Sequence, residues 1–267
     1  MLRPNPIMKI SAVIITYNEE RNIEACLKSV SFCDEIVVVD SGSVDGTLAL
    51  IKKHTPAGGA PAPAVYFRPF DHFSAQKNEA VSKATSDWIL SIDADERVSE
   101  ALQKEILDVI RSNPPREQIC AYHIPRKNFI FGSHLKFGAN RGDAPVRLFR
   151  RGFAAFEGAI HERLSVRGRV GKLKSPLIHL SSPTLKDYVR RLDHYTQLEA
   201  IQMRDRGERF SYLKFFGKPP VRFIQRYFLQ WGFLDGKKGF IYCALGSFYE
   251  FVRYAKLWEL ERNRCAH

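Results

Sequence analysis

The first hundred residues alternate short runs of β-branched residues with segments of helical periodicity, and this alternation constrains the fold more than any other feature. Ile10–Thr16, Glu35–Asp40 and Trp88–Asp93 are nearly continuous apolar runs, which is typical of strands buried on both faces. Between the first two, residues 19–30 place Ile23, Leu27 and Val30 on one helical face. The pattern predicts a doubly wound α/β unit, a largely parallel sheet flanked by helices.

Further elements follow the same logic. A glycine-containing turn precedes a second helix, residues 65–67 form a third strand at the sheet edge, Ser74 caps a helix to residue 84, and Ser99 opens another. Residues 121–180 contain shorter, arginine-rich strands, including Val146–Arg150. Residues 184–206 are helical, and the remainder is aromatic and basic.

Charge and cysteine content narrow the classes of partner and compartment. The net charge of +12 indicates an anionic partner: nucleic acid, a phosphorylated substrate or an acidic membrane surface. Five scattered cysteines without a CxxC pair indicate neither a disulfide framework nor a zinc site, so a reducing cytosol is expected. The first apolar run is too short for a signal peptide or a membrane span, and we expect a chain that is neither secreted nor anchored at its start.

Acidic side chains follow three predicted strands, at the positions where open α/β sheets bind ligands. They are Asn18-Glu19, Asp40, and the Asp93-Ala-Asp95-Glu96 segment. Asp40 either binds a ribose or base or caps the following turn. Asp93 and Asp95, two residues apart at a strand end, are spaced to hold a divalent cation whose coordination shell a diphosphate would complete. The alternative is that this Asp-x-Asp tripeptide occurs here by chance.

The sequence contains neither of the glycine-rich phosphate-binding motifs GxGxxG and GxxxxGK[ST], so other residues must bind phosphate. Lys77 and Arg147 are candidates beside a metal, and solvated surface cations are the alternative. Glu157, His161 and Glu162 are candidate general bases, and Asp143 is a further candidate. A surface Glu–Arg pair is the alternative. A zincin site is excluded, because Ser165 stands where HExxH needs its second histidine.

Several segments in order carry a family resemblance. They are IITYNEE (14–20), VVVDSGSVDGT (37–47), QKN (76–78), WILSIDADE (88–96), RLFR (147–150) and GAIHERL (158–164). Together they resemble a family 2 inverting glycosyltransferase, most closely the lipopolysaccharide inner-core β-glucosyltransferase branch.

The resemblance implies a GT-A fold, a Rossmann-like mixed sheet flanked by helices that uses a UDP-sugar donor and Mg²⁺ or Mn²⁺. Residues 8–183 would form the catalytic domain, with a nucleotide-sugar half (8–120) and an acceptor half (121–183), and 184–267 a helical extension. The resemblance also implies a role for each candidate residue. Thr16, Asn18 and Glu19 would contact the uridine, Asp40 the uracil or ribose, and Asp93 the ribose or donor sugar. Asp95 with Asp93 would ligate the metal, Lys77 and Arg147 would contact the diphosphate or acceptor, and Glu162 beside His161 would abstract the proton.

The implied reaction is a single inverting displacement that moves a hexose, glucose in this branch, to a lipopolysaccharide core acceptor. Galactose and N-acetyl sugars stay open as donors. A polyprenyl-linked, exopolysaccharide or protein acceptor also stays open, because acceptor choice depends on the segment after residue 120.

The C-terminal segment combines aromatic and basic residues. Residues 210–260 hold 16 of the 32 aromatic residues, eight Lys/Arg and three acids. Interleaved rings and cations suit an interfacial membrane segment, and charged residues interrupt every stretch before it reaches the length of a span. We therefore expect a cytoplasmic protein peripheral to the inner face of the cytoplasmic membrane. Packing of the aromatics on the catalytic domain or a second subunit is the alternative.

A nucleic-acid-binding protein is the rival from a different class, which the net charge permits. No helix-turn-helix, RNP or zinc pattern occurs, and acids at the strand ends would repel phosphate without a metal between. We therefore expect an anionic sugar-nucleotide donor, a lipid-linked or lipopolysaccharide-core acceptor, and no nucleic acid.

Overall fold

A computed structural model describes residues 8–54, 62–112, 119–158 and 162–264. The strands are β1 (Ile10–Thr16), β2 (Glu35–Asp40), β3 (Ala64–Phe67), β4 (Trp88–Asp93), β5 (Glu96–Val98), β6 (Ile119–His123), β7 (Arg126–Ile130), β8 (Ser133–His134), β9 (Val146–Arg150), β10 (Ala154–Glu157), β11 (Arg163–Val166), β12 (Arg169–Lys172) and β13 (Leu177–Ser182). The helices are α1 (Ile23–Ser29), α2 (Thr47–Lys53), α3 (Phe73–Lys83), α4 (Glu100–Ser112), α5 (Leu185–Asp205), α6 (Tyr212–Ile224) and α7 (Gly236–Arg264).

The chain forms two compact units. The first comprises Met1–Arg126 and Ala144–His179, and the second comprises Lys127–Asp143 and Leu180–His267. The predicted division places a single boundary near residue 183, whereas segment 127–143 groups with the C-terminal helices. Its backbone explains why: the amides of Lys136 and Phe137 donate to the carboxylate of Asp235. The assignment of domains to functions stays a prediction.

The first unit contains a seven-stranded mixed sheet in the order β12-β6-β9-β4-β1-β2-β3. β1 pairs in parallel with β2 and β4, while β9 is antiparallel to both β4 and β6. The predicted strands β1, β2 and β4 have the predicted bounds, and β3 lies at the sheet edge as expected. The antiparallel β9 makes the sheet mixed, which confirms the predicted fold class.

Both faces of this sheet are buried because successive side chains point to opposite sides. Ala12 and Ile14 of β1 pack with α1 and α4 in one apolar cluster. Val13, between them, packs with Ala80 of α3 in the other. The strands are therefore continuously apolar rather than alternating, as parallel sheets covered on both sides require.

Two predicted helix starts are wrong. α1 begins at Ile23 rather than residue 19, because residues 18–20 bond to the loop after β2. α3 is capped by His72, whose Nδ1 accepts from the Ala75 amide at 3.2 Å. Ser74, the predicted cap, instead donates its hydroxyl to the Gly158 carbonyl.

The second unit is helical, apart from the β7–β8 hairpin and the end of β13. α5 is capped by Thr184, as the predicted start at residue 184 requires, and packs through Ala200 and Met203 against Tyr254 and Leu257 of α7. In the four described ranges, no helix has both the length and the apolar character needed to cross a bilayer.

Candidate active site

Three strand ends bring the predicted donor residues to one edge of the sheet. Thr16 lies beside Asp40 in the β1–β2 register, and Ile15 lies beside Asp93 in the β1–β4 register. Because these strands are parallel, their carboxyl ends share the edge at which open α/β sheets bind ligands. The structure therefore brings Thr16, Asp40 and Asp93 together.

Asp40 is held by the turn that follows it. Its Oδ2 accepts from the amides of Gly42 at 2.8 Å and Ser43 at 2.9 Å, and its Oδ1 accepts from the Ser43 hydroxyl. These hydrogen bonds are the ones expected if Asp40 caps the turn that follows β2, which was the alternative to a ligand contact. Its role toward uracil or ribose stays a prediction.

The loops after β1 and β2 are bonded to each other. Asn18, in the left-handed region at φ 54°, accepts from the Val44 backbone amide through its side-chain Oδ1. The backbone amide of Asn18 donates to the Ser43 hydroxyl oxygen. The Glu19 amide donates to the Thr47 hydroxyl at 2.8 Å. Asn18 and Glu19 therefore hold the loop pair that frames the predicted uridine site.

Three buried polar atoms at this edge lack hydrogen-bond partners within the described ranges. They are Thr16 Oγ1, Arg147 Nε and Asp93 Oδ1, of which the last is paired with the Lys77 ammonium at 3.0 Å. Buried polar groups are nearly always satisfied, so each such atom calls for an explanation. A polar ligand at the end of β1 and β4 would supply the missing partners.

A buried ionic cluster surrounds Asp93. Lys77 Nζ lies 3.0 Å from Asp93 Oδ1 and 2.8 Å from Glu162 Oε1, and Arg147 Nη2 contacts Asp93 Oδ2 and lies 2.9 Å from Glu96 Oε1. Arg147 reaches this edge because β9 is antiparallel to β4, so the start of β9 lies beside the end of β4. Lys77 and Arg147 are therefore fixed cations rather than solvated surface residues.

The cluster determines which side chains carry charge. Burial alone would raise the pKa of Asp93, but the cations of Arg147 and Lys77 hold that pKa well below its usual range. Burial likewise opposes the charge on Arg147, and the carboxylates of Asp93 and Glu96 raise its pKa. Both side chains are therefore ionised at neutral pH.

Asp95 lies beside a histidine from a distant strand. His179 Nε2 of β13 is 3.5 Å from Asp95 Oδ2, and both side chains are largely buried. Across the described ranges, no group of three or more His, Cys, Asp or Glu side chains forms a metal site. A carboxylate with one imidazole fits a divalent cation whose remaining ligands come from a diphosphate and water.

The predicted bases are placed differently. Glu162 is partly buried and accepts from Lys77 at 2.8 Å, while Glu157 is exposed. His161 lies outside the described residues. Asp143, in the second unit, accepts from the Asn128 amide group at 2.9 Å.

Two residues of the site received no role of their own from the sequence. Glu96 is fully buried, accepts from Arg147 and from the Asp93 amide at 3.0 Å, and holds both in place. Its position after Asp95 was the available signal. His179 had no local signal, because its proximity to Asp95 arises from the pairing of β13 with β5.

The chain is similar to known glycosyltransferases. The model of the family "Glycosyl transferase family 2" matches residues 11–157. The lipopolysaccharide core biosynthesis glycosyltransferase LpsC of Rhizobium meliloti (strain 1021) is 30% identical over 257 residues, which cover 95% of this chain and 93% of LpsC. An uncharacterized glycosyltransferase of Rickettsia typhi is 30% identical over 267 residues, covering 94% of this chain and 87% of that protein.

A solved structure supports the fold. The mannosyltransferase PcManGT from Pyrobaculum calidifontis, in complex with GDP-Man and Mn²⁺, matches with a TM-score of 0.55 and 16% identity, over 96% of this chain and 88% of that one. The mixed sheet with its helical C-terminal part is thus a GT-A fold. With that fold and the match across more than half of its length, the chain belongs to glycosyl transferase family 2.

Proposed function

We propose that this glycosyltransferase transfers a hexose, specifically glucose, from a UDP-sugar to a lipopolysaccharide core acceptor, with inversion of configuration at the anomeric carbon. The observation that carries the proposal is the ionic cluster at the ends of β1 and β4, where Lys77 and Arg147 meet Asp93 beside Glu162. Similarity to LpsC along nearly the whole chain supports the acceptor class. Residues 8–183 would be catalytic and 184–267 an extension.

The chain's own residues account for donor binding. Thr16, Asn18, Glu19 and Asp40 frame the nucleoside, and Asp93 contacts the ribose or donor sugar. Lys77 and Arg147 lie where a diphosphate would be neutralised.

Asp95, together with Asp93 in our sequence prediction and His179 in the structure, would hold Mg²⁺ or Mn²⁺. The bound cation would offset charge on the leaving diphosphate. PcManGT was solved in complex with Mn²⁺, which supports a divalent cation here.

Glu162 acts as the base in this proposal. Its carboxylate takes the proton of an acceptor hydroxyl, whose oxygen forms a bond to the anomeric carbon while the bond from that carbon to UDP breaks. The electron pair leaves on UDP, and attack from the opposite face inverts the configuration. Lys77 orients the carboxylate through its 2.8 Å contact. His161 stays a predicted neighbour of this step.

The proposed lipid-linked acceptor also indicates where in the cell the enzyme acts. We propose a cytoplasmic enzyme peripheral to the inner face of the cytoplasmic membrane, where a lipid-linked acceptor and an anionic surface are available. The basic, aromatic C-terminal segment supports this placement.

A thermal-shift panel tests the donor class. UDP, GDP and CMP are each added with and without Mn²⁺, because ligand that binds the native state raises the melting temperature by mass action. We expect a shift with UDP that requires Mn²⁺ and is lost in Asp95→Ala. A metal-independent shift, or a larger one with GDP, contradicts the proposal. NMR of the product formed from UDP-glucose and core oligosaccharide then reports the sugar and its anomeric configuration.

A further inference from the structure

The second unit carries a concentration of exposed apolar side chains. Thirteen bulky apolar side chains in the described ranges are at least half exposed, and eight of them lie between residues 212 and 234. We call these eight the 212–234 surface. They are Tyr212, Leu213, Phe216, Val221, Ile224, Phe228, Leu229 and Leu234, and Leu213 is 84% exposed.

The aromatic contacts made with α7 involve other side chains of this segment. α6 contributes no buried residue, yet it is paired with α7 by an aromatic seam. Phe215 contacts Phe251 with ring centroids 4.5 Å apart, and Phe240 contacts both Phe223 and Tyr227 at 5.7 Å. These eight side chains thus stay exposed after α6 and α7 have packed together, and such a concentration of exposed apolar side chains is typical of an interaction site.

The charge around this surface is mainly positive, although Arg222 is paired with Glu250 at 2.7 Å. Residues 209–249 contain seven Lys/Arg and a single acid, Asp235. The Asp235 carboxylate is occupied by the amides of Lys136 and Phe137, while Lys214, Lys218 and Lys237 are exposed. Exposed lysines among apolar side chains suit lipid headgroups, because their stems lie along the apolar layer while the ammonium groups reach phosphate.

A second copy of the chain fits this surface poorly. A two-fold interface would bring two copies of the same basic surface together, and like charges there oppose association. Lysine is also depleted from protein interfaces. The chemistry favours an anionic occupant that has an apolar layer beneath its charge.

We propose that the 212–234 surface inserts into the headgroup region of an anionic bilayer, with Leu213 and Phe216 among the inserted side chains and Lys214 and Lys218 on lipid phosphate. The inference deepens the proposed function, on which it rests for the lipid-linked acceptor. It specifies the attached element, α6 with the segment that leads into α7, and the mode of attachment, in which this element lies in the plane of the membrane–water interface.

Vesicle sedimentation tests the proposal in the absence of nucleotide and acceptor. The full chain is incubated with vesicles of phosphatidylcholine alone or mixed with phosphatidylglycerol. We expect binding to the anionic vesicles that weakens as salt is added. Leu213→Ser with Phe216→Ser, and separately Lys214→Glu with Lys218→Glu, should each weaken binding by about tenfold or more. The matched control, Lys52→Glu with Lys53→Glu on α2 of the first unit, makes the same charge change and should stay within about twofold.

Two further readouts separate the outcomes. Trp231, 46% exposed within this segment, should shift its emission to shorter wavelength on anionic vesicles, and Trp231→Phe should remove that shift. Equal binding by all variants, or no binding to anionic vesicles, overturns the proposal. So does a dimer, detected by sedimentation equilibrium, that Leu213→Ser with Phe216→Ser dissolves. The UDP and Mn²⁺ thermal shift of each variant reports the donor site separately, so failure of membrane binding and failure of the proposed function are distinguishable.

Discussion

Removing the charge of Glu96 should destabilise the first unit without enlarging or shrinking a side chain. Glu96 is fully buried and accepts from Arg147 at 2.9 Å, from Arg126 at 3.4 Å and from the Asp93 amide at 3.0 Å. In Glu96→Gln, an amide group faces two guanidinium groups, and Arg147 keeps Asp93 as its contacting carboxylate.

The magnitude follows from burial. Breaking a buried ion pair by removing one partner costs about 3–5 kcal/mol, because a charge is left uncompensated. Asp93 still compensates Arg147 in part, so we expect the lower end, about 3 kcal/mol. For a unit of this size that corresponds to a fall in Tm of about 6–12 °C.

Urea and thermal unfolding followed by tryptophan fluorescence measure the loss. Trp88, fully buried in β4, becomes the single reporter in a Trp231→Phe, Trp258→Phe background, since the chain has three tryptophans. Glu24→Gln, which removes an exposed carboxylate paired with Lys28, is the control and should leave the midpoint unchanged.

A double-mutant cycle with Arg147→Met isolates the charge. Glu96→Gln should cost less in that background, because the uncompensated guanidinium is gone. A fall in Tm below about 2 °C for Glu96→Gln, or an equal cost in both backgrounds, would refute the reasoning.

Three further expectations concern pH, catalysis and backbone packing. The pKa of Asp93 is lowered in the folded chain, so its contribution to stability is present above the unfolded value of about 3.9 and is lost as pH falls through the folded value. The difference in urea midpoint between the native chain and Asp93→Asn should therefore be constant from about pH 7 to 5 and shrink below about pH 4, and an equal difference at about pH 3 would contradict this assignment. Glu162→Gln should lower transfer by about a hundredfold or more while calorimetry shows unchanged UDP affinity, and full turnover would make Glu157 or Asp143 the base to examine. Gly239→Ala should destabilise the second unit, because a Cβ there would lie 2.2 Å from the Gly232 carbonyl oxygen, whereas Gly217→Ala on α6 meets no atom within 4 Å and should leave the thermal midpoint unchanged or raise it.

The strands of the first unit were predictable because their signal is local. β1, β2 and β4 are buried on both faces, so each is an apolar run that ends where the chain leaves the sheet. The rule that ligands bind at the carboxyl ends of strands then made Asp93 a candidate site residue from the sequence alone. The start of α1 was not predictable from periodicity, because Glu19 and its neighbours bond to a loop that lies more than twenty residues away in sequence.

Long-range pairings account for the parts of the site that sequence did not reveal. Arg147 was predicted as a diphosphate or acceptor contact, but its contact with Asp93 arises from the antiparallel pairing of β9 with β4. His179 reaches Asp95 through the pairing of β13 with β5. The cap of α3 was missed for a local reason. Histidine is not among the preferred capping residues, so the nearby serine was the more obvious choice.

The hydrogen bonds between the loops after β1 and β2 have a consequence for how such enzymes can be altered. Asn18 with Ser43 and Val44, and Glu19 with Thr47, make each loop the scaffold of the other. A loop transplanted alone from a relative would leave these donors and acceptors without complementary groups on the other side. The two segments should therefore be inherited and exchanged as one module. Under the proposed role of these loops in donor binding, an exchange meant to change donor preference has to move both together.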